Sequence, residues 1–358
     1  MDFVSRKFAF ASGDRPVVVG EIGVNHNGDP VLARRLVDVA VDAGVDIVKF
    51  QVFKSENEIS RFAALTPYQQ ATSPDAANQL DLCKALELSH SAMRELEGYC
   101  GEREIGFLCS VFDSDSLAFL IEELDVAAVK VASGEITNLP FLEEIGRRKL
   151  GVMLSTGGST LAEVTKAVNT LVSAGCPELV LLHCVSSYPA PVSELNLRAM
   201  RTMNDVFRVP VGFSDHSAGI DAAIAATALG AVAIEKHFTI DRNLPGPDHQ
   251  ASIEPDELKQ LVRGIKHGVT LPLRPELAVM LGDGTKTPAP SERDNRPLIR
   301  RCLVAKRRLR KGDRLTREMI EIKRPQNGIA PADIGKAIGR ELNCDLDDDQ
   351  PITWSNLV

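Results

Sequence analysis

Two histidines stand at matching places in successive units of the 358-residue chain: His216 in "GFSDHS" and His237 in "IEKHFT". Each closes a short apolar run, and an Ala-rich helical stretch separates them. Imidazole nitrogen suits Mn, Zn or Fe, and two such ligands leave positions open for water and substrate. Polar endings recur on the other apolar runs. These close on Glu21; on Lys49 and Gln51; on Ser110; on Lys130, Ser133 and Glu135; on Ser155; on Ser186 and Tyr188; and on Ser214 ahead of His216. A lysine inside "DIVKFQ" needs an anion or a carboxylate, because an unpaired buried charge is costly. Lysines with several hydroxyls make a cradle for phosphate or carboxylate. The glycines of "STGGST" permit close backbone approach ahead of a helix N-terminus. Ser214 and Lys236 flank the histidines, which puts cradle and metal site on one rim. The chemistry is that of a small, highly anionic substrate beside a Lewis acid. His183, inside "LVLLHC", reads as a core hydrogen-bonder, and His26 as a residue that shapes the "VNHNGD" loop.

These groups need a scaffold that gathers many strand ends at one place. The apolar runs are Val17–Ile22, Asp46–Gln51, Gly106–Ser110, Ala127–Val131, Gly151–Ser155, Glu178–Cys184, Val209–Phe213 and Ala231–Lys236. They lack strict alternation, as strands buried on both faces do. Helical patterns separate them. One has Asp29 as N-cap, Pro30 at N1 and Gly44 at its end; another has Ser159 as cap, Glu163 early in the helix and Gly175 at its close. Eight such units predict an α/β fold, a (β/α)8 TIM barrel with its site at the C-terminal ends of the strands. A doubly wound sheet fits less well, since no GxGxxG follows the first strand. The stretch Ser55–Leu80 is long for a connection; "TPYQQATSPD" within it reads as a loop that covers the site. The barrel domain is assigned to 1–269. A Pro- and Gly-rich linker follows at 270–297, then a small, mostly β module at 298–358.

Composition narrows the function classes. The net charge of −8 and the lack of a broad basic face argue against nucleic acid. No apolar run approaches membrane-spanning length, and the N-terminus carries no secretory h-region. Seven cysteines without a CxxC pair point to a reducing compartment, the cytoplasm.

The motifs "EIGVNHNGD", "VKFQ", "KVASGEITNLPFLEEIG", "LSTGGST", "HCVSSYPAP", "GFSDHSAG", "EKHFT" and "GPDHQAS" resemble the sialic acid synthases, the phosphoenolpyruvate-dependent nonulosonic acid synthases. The C-terminal block with "RPQNGIAP" is similar to their antifreeze-like SAF domain. The resemblance implies a TIM barrel that joins phosphoenolpyruvate to an open-chain N-acetylmannosamine-type sugar. The products would be phosphate and a nine-carbon acid such as N-acetylneuraminate. The alternative is a legionaminic acid synthase acting on 2,4-diacetamido-2,4,6-trideoxymannose, the branch that "GVNHNGD" and "GPDHQAS" look closer to. By the same resemblance His216 and His237 bind a divalent metal, Mn, with Mg or Co as alternatives. Lys49, Ser110, Lys130, Ser133, Ser155, Ser186 and Ser214 hold phosphoenolpyruvate. Gln51, Glu135, Tyr188 and Asp248 face the sugar, and Glu21 positions the water or acts as base. Arg324 reaches the N-acetyl group from the partner subunit, which implies a domain-swapped homodimer. Two rivals remain open: a Schiff-base aldolase using Lys130 or Lys49, and a non-enzymatic binding protein built on the C-terminal block.

Overall fold

The computed structural model describes residues 15–73, 75–267 and 278–358. Eight strands form a closed barrel: β1 Val17–Gly23, β2 Ile47–Val52, β3 Gly106–Val111, β4 Ala128–Val131, β5 Gly151–Ser155, β6 Leu179–His183, β7 Val211–Asp215 and β8 Ala233–His237. Each pairs in parallel with the next. β8 closes on β1 with Val17 opposite Ala233 and Glu21 opposite His237. The TIM-barrel expectation is met, with strand bounds shifted by no more than about two residues, the usual uncertainty of such boundaries.

The two-residue period of a strand explains what the barrel carries at its mouth. Val19, Ile47, Leu108, Ala128, Met153 and Ala233 belong to the apolar cluster inside the barrel. Two residues further along the same inward face stand Glu21, Lys49, Ser110, Lys130, Ser155 and Glu235, all buried. On β7 the same step leads from Gly212 to Ser214 and on to His216, and on β8 from Glu235 to His237. One apolar layer thus supports one polar layer. The outward-facing residues form the larger core under the helices, among them Val18, Val48, Phe50, Val152, Leu181 and Phe213.

Local signals place the helices. Asp29 caps the helix Pro30–Ala43 by accepting from the Val31 N–H, and Gly44 ends it in the left-handed region at φ 77°. For Leu161–Ala174 the cap is Thr160, not Ser159. Thr160 and Glu163 form a reciprocal capping box, whereas the Ser159 hydroxyl turns back to the Gly157 carbonyl. The long stretch after β2 holds the helices Ser55–Glu58, Pro67–Thr72 and Gln79–Lys84; the second lies within "TPYQQATSPD", expected to be a loop, and Thr66 with Gln69 boxes it.

The small domain holds an antiparallel pair, β9 Cys302–Ala305 and β10 Ile320–Lys323, around Leu303, Leu309, Leu315, Leu342, Leu346 and Ile352. It rests on the barrel mouth. Arg301, fully buried, binds Glu58 and Glu135 of the barrel, and Arg324 Nη2 binds Glu58 Oε1 at 2.8 Å. The expected linker also behaves differently in its described part. Residues 278–297 lie against the barrel, with Leu197 N–H donating to Met280 O and Leu161 N–H to Lys286 O. Their Pro and Gly content serves turns that follow the barrel surface.

Candidate active site

A single pocket at the C-terminal ends of the strands is lined by every predicted site residue: Glu21, Lys49, Gln51, Ser110, Lys130, Ser133, Glu135, Ser155, Ser186, Tyr188, Ser214, His216, His237, Asp248 and Arg324. Lys236 is the exception among the rim residues read from sequence. It lies on the opposite face of β8, where its ammonium binds Asp215 at 2.8 Å and the Ser217 carbonyl at 2.5 Å. The strand period forces this, because residues 235 and 237 already point inward.

The pocket floor is a cluster of two lysines and two carboxylates. Lys49 contacts Glu21 and donates to Ser110 Oγ at 3.0 Å. Glu235 stands between the lysines, 3.3 Å from Lys130 and 3.6 Å from Lys49, and accepts from Ser214 Oγ at 2.7 Å. Burial pushes the Glu21 carboxyl up to about 7 against the pull of Lys49. Burial disfavours ionised Glu235 too, but Lys130, Lys49 and Ser214 outweigh it and hold Glu235 below the usual carboxylate range. Lys130 is pulled down by burial, with Glu235 opposing. Glu235 was not among the predicted residues. The step of two from Ala233 would have found it.

The two histidines could serve as metal ligands. His216 Nδ1 lies 2.7 Å from the Val185 carbonyl, which can only accept, so Nδ1 carries the proton and Nε2 keeps its lone pair. That Nε2 faces the hydroxyls of Tyr188 at 3.2 Å and Ser214 at 3.4 Å. The His237 ring centre is 5.7 Å from that of His216, and its buried Nδ1 has no partner. Burial keeps both imidazoles neutral, His216 down to about 4 and His237 well below the ordinary value. Two neutral imidazoles near Glu21 Oε1, a buried oxygen with no hydrogen-bond partner, fit a divalent cation. Among the described residues no set of three His, Cys, Asp or Glu groups forms a closed cage. An arrangement of two imidazoles leaves positions for water and substrate.

The pocket has two chemically distinct sides. Above β4 to β7 stand Lys130, Ser133, Ser155, Ser186 and Ser214. Above β1 to β3, Val24, Phe53, Leu82, Leu86 and Phe112 form one apolar cluster that also lines the pocket. Tyr68 meets Tyr188 at a tilt, with ring centres 5.2 Å apart, and both line the pocket. Asp248 is raised to about 6 by burial. Both Glu135 oxygens are engaged, one by Arg301 Nε at 2.5 Å and the other by Asn138 at 2.9 Å. Arg324 Nε, by contrast, is buried without a partner.

Sequence comparison now adds lineage to geometry. The NeuB family profile matches residues 36–271, and the SAF domain profile matches 300–358. The chain belongs to the NeuB family. Over 340 residues it is 41% identical to the N,N'-diacetyllegionaminic acid synthase of Campylobacter jejuni, covering 94% of this chain and 99% of that one. It is 33% identical to the human N-acetylneuraminate-9-phosphate synthase, over 96% of this chain and 93% of that protein. The crystal structure of the Bacillus subtilis spore coat polysaccharide biosynthesis protein SpsE superposes with a TM-score of 0.81 at 33% identity, covering 97% of each chain. Within this NeuB family member the resemblance read from the motifs therefore holds from barrel to SAF domain. The first-named sugar reading does not lead: the legionaminate alternative has the stronger support.

Proposed function

We propose that the chain condenses phosphoenolpyruvate, water and 2,4-diacetamido-2,4,6-trideoxymannose to N,N'-diacetyllegionaminic acid and phosphate. The observation that carries the choice of sugar is the apolar wall of Val24, Phe53, Leu82, Leu86 and Phe112 opposite the cationic, hydroxyl-rich side. A 6-deoxy sugar with a second acetamido group presents methyl groups to such a wall. N-acetylmannosamine presents hydroxyls, which lose their water there without gaining partners. The 41% identity to a legionaminate synthase points the same way.

In this reading Lys49, Lys130 and the hydroxyls of Ser110, Ser133, Ser155, Ser186 and Ser214 hold phosphoenolpyruvate. Carbon 3 of phosphoenolpyruvate bonds to the aldehyde carbon of the open-chain sugar, water adds at carbon 2, and phosphate leaves. Glu21, against Lys49, holds that water and takes its proton. Arg324 offers its unpartnered Nε–H to an acetamido carbonyl. Gln51, Tyr188 and Asp248 orient the sugar chain, and Glu135 fixes Arg301 beneath it. A divalent cation, manganese first and magnesium or cobalt as alternatives, would be held by His216 and His237 and would polarise the aldehyde.

The proposal includes a homodimer in which two copies exchange SAF domains. The contacts of Arg301 and Arg324 with Glu58 are made within one chain here, and an exchanged pair would form the same contacts between copies. It also includes the cytoplasm, since all seven cysteines are unpaired and such thiols suit a reducing compartment. No helix among the described residues is long and apolar enough to cross a membrane.

The test is phosphate release from phosphoenolpyruvate with Mn²⁺ and each sugar in turn, with the product weighed by mass spectrometry. Release with the diacetamido sugar and a product of the matching mass supports the reading. No release with either sugar overturns it, and release with N-acetylmannosamine alone overturns the choice of sugar.

A further inference from the structure

Resting on the phosphoenolpyruvate reading, we infer that Glu292 is a positioning residue for the phosphate-holding side of the pocket. Glu292 lies in the stretch once read as linker and is 2% exposed. Its Oε1 accepts from two backbone N–H groups, Gly158 at 2.6 Å and Ser186 at 2.6 Å, while Oε2 accepts from Ala289 N–H at 2.7 Å. Gly158 follows β5 and Ser155; Ser186 follows β6. One carboxylate therefore ties together the two loops whose hydroxyls face the anion.

Two residues further along the chain complete the strap. Asn295 Nδ2 donates to the Ser186 carbonyl at 3.3 Å. Arg300, fully buried, donates to the carbonyls of Ser133 at 2.8 Å and Gly158 at 3.1 Å, and to Ser159 Oγ at 2.8 Å. The loops after β4, β5 and β6 are thus held together by one short segment. The fit at their meeting point is tight. A Cβ on Gly157 would lie 2.1 Å from Ser186 Oγ and 2.9 Å from Ser133 Oγ, so the hydroxyls converge on bare backbone. Gly158 itself has φ +57°, a conformation that favours glycine.

Paired amide N–H groups aimed at one point form an anion nest. Here the nest holds an internal carboxylate, so the substrate phosphate meets the hydroxyls and lysines instead. Donors that are already in place bind a multiply charged anion without further ordering cost. Releasing the Glu292 anchor frees two loops at once and weakens phosphoenolpyruvate, whereas the strap's hydrogen bonds from Glu292, Asn295 and Arg300 run to the loops after β4, β5 and β6 and not to the apolar wall.

The experiment is steady-state kinetics of wild type, Glu292→Gln and Glu292→Ala, varying each substrate separately, with Tm measured alongside. Glu292→Gln keeps one acceptor oxygen but turns an amide donor toward an N–H. We expect about a tenfold rise in KM for phosphoenolpyruvate, the scale of losing one charge-assisted hydrogen bond, with the sugar KM changed less than about twofold. Added formate should partly restore phosphoenolpyruvate KM in Glu292→Ala by refilling the nest. Wild-type turnover with an unchanged phosphoenolpyruvate KM in both variants overturns the role, as does an equal rise of both KM values with a fallen Tm. If Glu292→Ala does not fold, Glu292→Gln decides by the same KM split. A wild type that releases no phosphate sinks the parent reading instead, and this role with it.

Discussion

Replacing Glu235 by glutamine tests the charge cluster at the barrel floor. Its carboxylate is 3.3 Å from Lys130 and 3.6 Å from Lys49. At an effective dielectric constant of about 20, each attraction is roughly 5 kcal/mol before desolvation. Removing one partner of a buried pair typically costs about 3–5 kcal/mol, because the remaining charge is left uncompensated. Lys130 has an escape, since burial already pulls its pKa down and it can shed its proton. That escape has its own cost: a lysine titrating near 10.4 in the unfolded chain gives up about 5 kcal/mol to stay neutral at pH 7. Both routes place the loss at about 3–5 kcal/mol. Urea unfolding of wild type, Glu235→Gln, Lys130→Met and the double variant measures it. The double variant should recover about 2–3 kcal/mol relative to the sum of the single losses, as expected of residues in one buried pair. A Glu235→Gln loss below about 1 kcal/mol, or strictly additive losses, would mean that Glu235 does not hold the two lysine charges.

Other consequences can be checked with the same protein. His237→Ala should abolish Mn²⁺ binding by calorimetry and Mn²⁺-stimulated turnover; retained binding would mean the ligand assignment is wrong. Arg324→Ala should raise the sugar KM with little change for phosphoenolpyruvate. If copies exchange SAF domains, co-expressing Arg324→Ala and Lys49→Met chains should restore activity, because one site of the mixed pair is then wholly wild type; no recovery would contradict the exchange. His183, buried with Nε2 2.7 Å from the Leu195 carbonyl, is lowered to about 3 by burial and by Lys286. Its contribution is fully present above about pH 6.5 and is lost as pH falls, because only the unfolded chain takes up the proton, at about 1.4 kcal/mol per pH unit. His183→Gln should flatten that acid slope in urea unfolding, and an unchanged slope would contradict it.

Much of this site was legible in the chain because barrel strands convert position into direction. Polar residues closing apolar runs, such as Lys49, Lys130 and Ser155, could only meet at the mouth. Glu235 escaped because it sits inside its run, two residues before the conspicuous His237. Lys236 misled for the same reason, being adjacent in sequence but on the opposite face. Tyr68, Leu82 and Leu86 come from the long stretch after β2, whose short capped helices carry too few turns to show a period. Glu292 and Asn295 were hidden by Pro- and Gly-rich composition. Such composition signals turns and says nothing about whether the turns are packed.

The proposed function sets phosphoenolpyruvate against a 6-deoxy, twice acetamidated sugar held at an apolar wall. The most direct measurement is a competition: equimolar 2,4-diacetamido-2,4,6-trideoxymannose and N-acetylmannosamine with limiting phosphoenolpyruvate and Mn²⁺, and the two nine-carbon products counted by mass spectrometry. Their ratio is the ratio of kcat/KM values. Stranded hydroxyls at the wall predict at least about a hundredfold excess of the diacetamido product, roughly 3 kcal/mol of discrimination. Equal products, or an excess from N-acetylmannosamine, would contradict the account.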